Sequence, residues 1–198
     1  MDNIRGAILM VLAMLFFAIE DMLIKMMAGF MPVGQVIMII GGGGGIIFAA
    51  LAIRAGVRLF TRDLIHPAAI IRNLCEFFGT MGFVSAIALT PISTASAILQ
   101  ATPLVVTLGA AVFLGETVGW RRWSAIMVGL FGVLLIIRPG AAGFDAKSLL
   151  AVIAVIGLAA RDLATRRMPA TIPSLQIAFS AVVVSIMTGF VLLKLGVT

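Results

Sequence analysis

A chain of 198 residues that is 62% hydrophobic and only 11% charged, with a mean hydropathy of +1.23, is not a soluble domain. Soluble domains carry about 25% charge, and no core of this length hides so much apolar surface, so its solvent is lipid. The net charge of +6 would point a soluble protein to nucleic acid; here the basic residues lie between apolar stretches, where they fix orientation in a bilayer, and no nucleic-acid partner is expected.

A spanning helix needs about 20 mostly apolar residues to cross roughly 30 Å of hydrocarbon. Seven stretches qualify, near 5–29, 33–53, 69–89, 92–114, 120–138, 148–166 and 174–194. The expected fold is therefore all-α, a polytopic transmembrane bundle of seven spans. The first apolar run ends in Glu20-Asp21 rather than a small-x-small cleavage site, so it reads as an uncleaved helix and not a signal peptide. Glu20 and Asp21 are costly inside a span unless paired or used. Lys25, four residues beyond Asp21, is placed to pair with it, and the alternative is contact with substrate or protons.

Pro32 opens the second span, Pro91 the fourth and Pro173 the seventh, where the missing N–H costs nothing. In the second span, Gly41–Gly45 has a small-xxx-small spacing that lets helices approach closely. A phosphate-cradling loop would need a following Lys-Ser/Thr, and Ile46-Ile47 stands there instead, so Gly41 and Gly45 are assigned to helix packing, as are Gly129 and Gly132 in the fifth span. Arg72 and Glu76 form a second i,i+4 pair in the third span, either as an anchor at its start or as anion-binding and acid groups facing the interior. Cys75 has no partner for a disulfide or a CxxC site and reads as a small buried hydrophobe. In the fourth span Gln100 precedes Thr102-Pro103; the proline frees the Leu99 carbonyl and kinks the helix, leaving Gln100 as a cavity wall or an interhelical hydrogen-bonder. Arg138-Pro139-Gly140 closes the fifth span.

The 14 basic residues give the orientation. With the N-terminus cytoplasmic, nine (Arg5, Arg54, Arg58, Arg62, Arg121, Arg122, Arg161, Arg166 and Arg167) fall inside and four (Lys25, Arg138, Lys147 and Lys194) outside, with Arg72 at the third span. Seven spans then leave Thr198 on the outer side.

Shifting the chain by 141 residues lays the sixth span on the first and the seventh on the second. Asp21, Pro32 and Gln35 then meet Asp162, Pro173 and Gln176, and Lys25 meets Arg166. A unit of five helices inverts the second copy, as in secondary transporters, whose sites lie between repeats. On this reading residues 1–140 are the first repeat and 141–198 an incomplete second one. Two full copies need about 282 residues, so about 84 residues and three helices are expected to follow. The 198-residue chain alone is expected to be unstable or to form a homodimer in detergent.

Several stretches carry a family resemblance. They are Leu89-Thr90-Pro91-Ile92-Ser93-Thr94-Ala95-Ser96-Ala97, Thr102-Pro103-Leu104, Phe113-Leu114-Gly115-Glu116, Gly129-Leu130-Phe131-Gly132-Val133 and Arg138-Pro139-Gly140. Together they resemble the drug/metabolite transporter superfamily in its EamA-type branch. The resemblance implies a bacterial inner-membrane transporter of a small organic metabolite with ten helices and cytoplasmic termini; this chain has seven. The stretch Arg161-Asp162-Leu163-Ala164-Thr165-Arg166-Arg167 is similar to that of branch members assigned to riboflavin or S-adenosylmethionine uptake.

The expected mechanism is alternating access, with spans 1, 3, 4 and 6 lining a central cavity whose polarity is set by Glu20, Asp21, Arg72, Glu76, Gln100 and Asp162. No cofactor or metal is expected. The other open readings are a membrane subunit that transports nothing and an intramembrane enzyme. The enzyme reading is the weaker: His66, the one histidine, sits in a loop without a second metal ligand, and no Gly-x-Ser-x-Gly elbow is present.

Overall fold

The computed structural model describes residues 2–138 and 145–196. Its helices are α1 (Asp2–Met27), α2 (Val33–Arg54), α3 (Pro67–Leu89), α4 (Ile92–Leu99), α5 (Thr102–Phe113), α6 (Trp120–Ile137), α7 (Ser148–Arg166) and α8 (Ser174–Lys194), with a 3-10 turn at Arg62–Ile65. No strand occurs among the described residues. Seven helical stretches are long and apolar enough to cross a membrane, α4 and α5 together making the fourth, so the protein is a multi-pass membrane protein.

Local chemistry sets the helix ends. Pro32, Pro91 and Pro173 are the N-cap residues of α2, α4 and α8, each with ψ in the extended range that precedes a helix. Pro67 begins α3, and the His66 ring Nδ1 accepts the Ala68 N–H at 3.2 Å, so the chain's one histidine caps the third span. The fourth span breaks where the proline argument places it. Pro103 cannot donate to Leu99, and the Thr102 hydroxyl donates to that carbonyl instead at 2.7 Å. The fifth span ends at Arg138, whose φ of 47° lies in the left-handed region; Pro139 and Gly140 lie outside the described residues, as does Thr198.

Two antiparallel pairings dominate the packing, α3 with α7 and α2 with α8. Both depend on glycine. A Cβ on Gly157 would meet the Gly79 backbone nitrogen at 2.6 Å, and one on Gly82 would meet the Leu150 carbonyl at 2.7 Å. A Cβ on Gly34 would meet the Gly189 carbonyl at 2.5 Å, and one on Gly41 the Ile186 side chain at 2.8 Å. Backbones this close gain dispersion contacts that lipid tails do not offer to a helix with larger side chains. Gly45 faces Val182 at ordinary contact distance, and Gly129 packs against Leu104. Gly132 departs from its expected packing role, because nothing lies within 4 Å of where its Cβ would be.

The helix α1 runs parallel to α3, since Lys25 reaches the C-terminal end of α3, whereas α7 runs antiparallel to α3. Most of α1 is exposed, including Phe16, Phe17 and Met10, and only Ile24 is fully buried. In water such a face would be an aggregation site; in a bilayer it meets lipid tails.

These crossings give a direct test. Gly157→Val is expected to destabilise the chain by about 1–3 kcal/mol through overpacking, and to lower its melting temperature in detergent. Gly132→Ala is expected to leave that temperature unchanged or raise it slightly, alanine being the better helix former. Equal losses for both substitutions would remove the close crossing as the source of stability.

Candidate functional site

The crossing of Gly79 with Gly157 decides what meets beside it. One turn away along each antiparallel helix stand Glu76 and Arg161, which is how two residues 85 positions apart come within 3.5 Å, Arg161 Nη1 to Glu76 Oε1. On α3, Arg72, Glu76 and Thr80 share one face at four-residue spacing. Arg72 Nη2 lies 3.2 Å from Glu76 Oε2, and the Thr80 hydroxyl donates to Glu76 Oε1 at 3.3 Å. Both members of the Arg72–Glu76 pair are buried. Arg72 Nη1 also donates to the Asn73 side-chain oxygen at 3.0 Å, and the Ser180 hydroxyl of α8 donates to the same oxygen at 3.3 Å. Arg161 Nε and Nη2 both donate to Asp162 Oδ1, at 2.9 and 2.8 Å.

This network forms one wall of a cavity of about 440 Å³, a size in the range of about 300–1,000 Å³ that small-molecule sites occupy. Glu20 and Asp21 of α1 form the facing wall, with Met14 and Phe17 of the same helix. Ile37 and Ile40 come from α2, Phe83 and Val84 from α3, Leu158 from α7. Hydroxyls of Thr80, Thr102 and Ser185 complete the lining, and Leu99 marks the broken fourth span. The lining is mostly apolar, with a few charges at fixed positions, which is the usual composition of a metabolite pocket.

Two buried oxygens in this region have no hydrogen-bond donor among the described residues: Asp21 Oδ1 and Glu76 Oε2, the second held only by the Arg72 charge. Arg72 Nε is likewise without an acceptor.

The structure places the sequence-derived candidates unevenly. Glu20, Asp21 and Glu76 line the cavity; Arg72 and Asp162 stand behind it, each paired to a residue of the wall. Gln100 does not line it. It is the exposed C-cap of α4, because the break before α5 turns it outward and leaves Leu99 and Thr102 facing in. The expected Asp21–Lys25 pair is not formed either. The ammonium of Lys25 donates to the carbonyls of Ala88 and Thr90, at 3.0 and 2.6 Å, where the end of α3 leaves unpaired acceptors and the negative end of its dipole.

Arg161 is the residue sequence reasoning missed. Counted there with the cytoplasmic bases, it lies a full turn inside α7, and its contacts are Glu76 and Asp162. Its position five residues before the helix end was the available signal. Glu116 pairs with Arg166 at 2.9 Å on the surface, a contact worth about 0–1 kcal/mol.

Seven apolar spans, six of which line a largely apolar cavity with a buried ion-pair wall, define a polytopic membrane bundle with an internal cavity. Residues 4–138 match the EamA-like transporter family, and the chain belongs to that family. It is 31% identical over 54% of its length to an S-adenosylmethionine uptake transporter of Rickettsia bellii, a match covering 36% of that relative. It is 34% identical over 48% of its length to a riboflavin transporter of Rhizobium johnstonii, covering 32% of it. A pseudopaline exporter of Pseudomonas aeruginosa is 24% identical over 88% of this chain and 61% of its own length. The matched segments thus span about a third to three fifths of these relatives. No solved structure matches the chain significantly.

The buried pair yields a stability prediction. Arg72→Leu leaves Glu76 without its closest countercharge and is expected to cost about 3–5 kcal/mol, whereas the double change Arg72→Leu with Glu76→Leu recovers most of that loss. Thermal unfolding of the three chains in detergent reads it; a double variant no more stable than the single would show that the pair is not coupled.

Proposed function

We propose that this chain carries the substrate cavity of a secondary transporter that moves a small organic metabolite across the bacterial inner membrane by alternating access. The observation that carries the proposal is the cavity between α1, α3 and α7, walled by ionisable side chains at the depth of the membrane spans. Such residues are expensive there and mark solute pathways. The names of the relatives support the class of cargo, with vitamin-like and nucleoside-like solutes among them.

The reading also treats residues 1–140 as one five-helix repeat and 141–198 as the opening of an inverted second one. Helices α1 and α7, matched by the 141-residue shift, run in opposite directions relative to α3, and α2 and α8 run antiparallel to each other. Those polarities support a repeat with an odd number of helices, and the cavity lies at the junction. The reading also sets the end of the bundle that carries Arg5 and Arg166 in the cytoplasm, which the excess of basic residues on that side supports even with Arg161 reassigned to the cavity wall.

The names of the relatives favour transport over an enzymatic role, and the imidazole of His66 caps α3 and does not line this cavity. The transporter reading is tested by expressing the chain in bacterial cells and following labelled S-adenosylmethionine, riboflavin and amino acids across the membrane. Asp21→Asn and Glu76→Gln are expected to lower transport at least tenfold at unchanged protein level, with surface Glu116→Gln near wild type. Full transport by both cavity variants would sink the assignment.

A further inference from the structure

The charges around the cavity do not balance. Four carboxylates (Glu20, Asp21, Glu76 and Asp162) face or back it, against two guanidiniums, Arg72 and Arg161. Both guanidiniums are already engaged, Arg72 with Glu76, and Arg161 with Glu76 and Asp162. Glu20 and Asp21 make no ion pair among the described residues. The next base along α1, Lys25, is the only other cation close by on that helix, and its ammonium is bound to two carbonyls. It weakens the local field without supplying a donor to Asp21. With these groups ionised, the excess among the described residues is two negative charges on the α1 wall, within a membrane span where an uncompensated charge costs several kcal/mol or more.

The unsatisfied atoms carried by residues that line the cavity have the same sign; the one bare donor, Arg72 Nε, belongs to a side chain behind the wall. The oxygens without a hydrogen-bond donor, Asp21 Oδ1 and Glu76 Oε2, are acceptors, and Glu76 is nine-tenths buried. An anion entering this cavity would meet two bare carboxylates and guanidiniums already spoken for. A cation would meet acceptors in need of a partner. Beside those acceptors, Phe17, Phe83 and Met14 offer apolar and aromatic surface, which accepts the body of an organic cation and attracts its charge through the ring faces.

From this, we infer that the cavity selects solutes bearing a fixed positive charge, an ammonium or sulfonium on an apolar or aromatic body, with Asp21 and Glu20 as the residues that read the charge. The inference rests on the proposed transport function for the location of the site, but it concerns what the site prefers, which can be measured without transport.

The test uses the full chain in lipid nanodiscs and two probes of nearly the same shape. S-adenosylmethionine carries a sulfonium; S-adenosylhomocysteine lacks one methyl group and that charge. Equilibrium dialysis with radiolabelled probes is expected to show S-adenosylmethionine bound at least tenfold more tightly. The preference is expected to fall to about twofold or less in Asp21→Asn and in Glu20→Gln. Equal binding of the two probes would mean that protons, not solute, answer the excess charge, and would overturn the inference. No binding of S-adenosylmethionine, or a preference that survives in both variants, would overturn it as well. If a variant fails to fold, the comparison of probes on the unmodified chain still decides. Riboflavin transport without any charge preference would leave the transport reading standing and this one failed; charge-selective binding without transport would do the reverse.

Discussion

The close crossing of α3 and α7 is the constraint on which the rest of the site depends. With Gly79 and Gly157 facing each other, the two backbones come near enough for side chains one turn away to meet. That contact puts Arg161 against Glu76 and, through Glu76, against Arg72. A bulkier residue at either glycine would push the helices apart and separate charges that are too costly to leave alone in hydrocarbon. Packing and polarity are thus one problem here: the glycines allow the approach, and the approach makes the buried charges tolerable.

The fourth span shows the same economy on a smaller scale. Pro103 deprives Leu99 of its usual donor, and the adjacent Thr102 restores a hydrogen bond to that carbonyl. The helix breaks without leaving a bare backbone acceptor, and the break brings both Leu99 and Thr102 to the cavity. A polar backbone discontinuity in a membrane protein belongs next to a cavity or to other protein, and here it borders the cavity.

Much of this was legible beforehand, for physical reasons that differ from residue to residue. Span lengths follow from bilayer thickness, and the prolines that begin α2, α4 and α8 announce their own positions. The Arg72–Glu76 pair was legible because helix geometry alone brings i and i+4 together. Asp21 and Lys25 have the same spacing and do not pair, because Lys25 has a stronger local claim: carbonyls at the end of α3, visible only once the third span is placed beside the first. Arg161 was misplaced for a related reason. A basic residue near a helix end looks like an interfacial anchor until a carboxylate from another helix is found opposite it. Gln100 failed in the other direction, since its facing depends on how the chain turns at the break and not on the proline that causes it. The substrate chemistry of a bundle is thus recorded in contacts between helices, where a linear pattern is weakest.

The attachment of α1 has a mechanical consequence. The helix is held to its neighbours mainly near its C-terminal end, through buried Ile24 and the two hydrogen bonds of Lys25, while its first half is exposed. A rod pinned near one end moves least beside the pin. With a rise of 1.5 Å per residue, Asp21 lies about 6 Å from Lys25 along the axis and Arg5 about 30 Å. A tilt of about 10° around that fulcrum would displace Asp21 by only about 1 Å and Arg5 by about 5 Å. The carboxylate wall would keep its place at the cavity while the far end of α1 swung away like a door on its hinge.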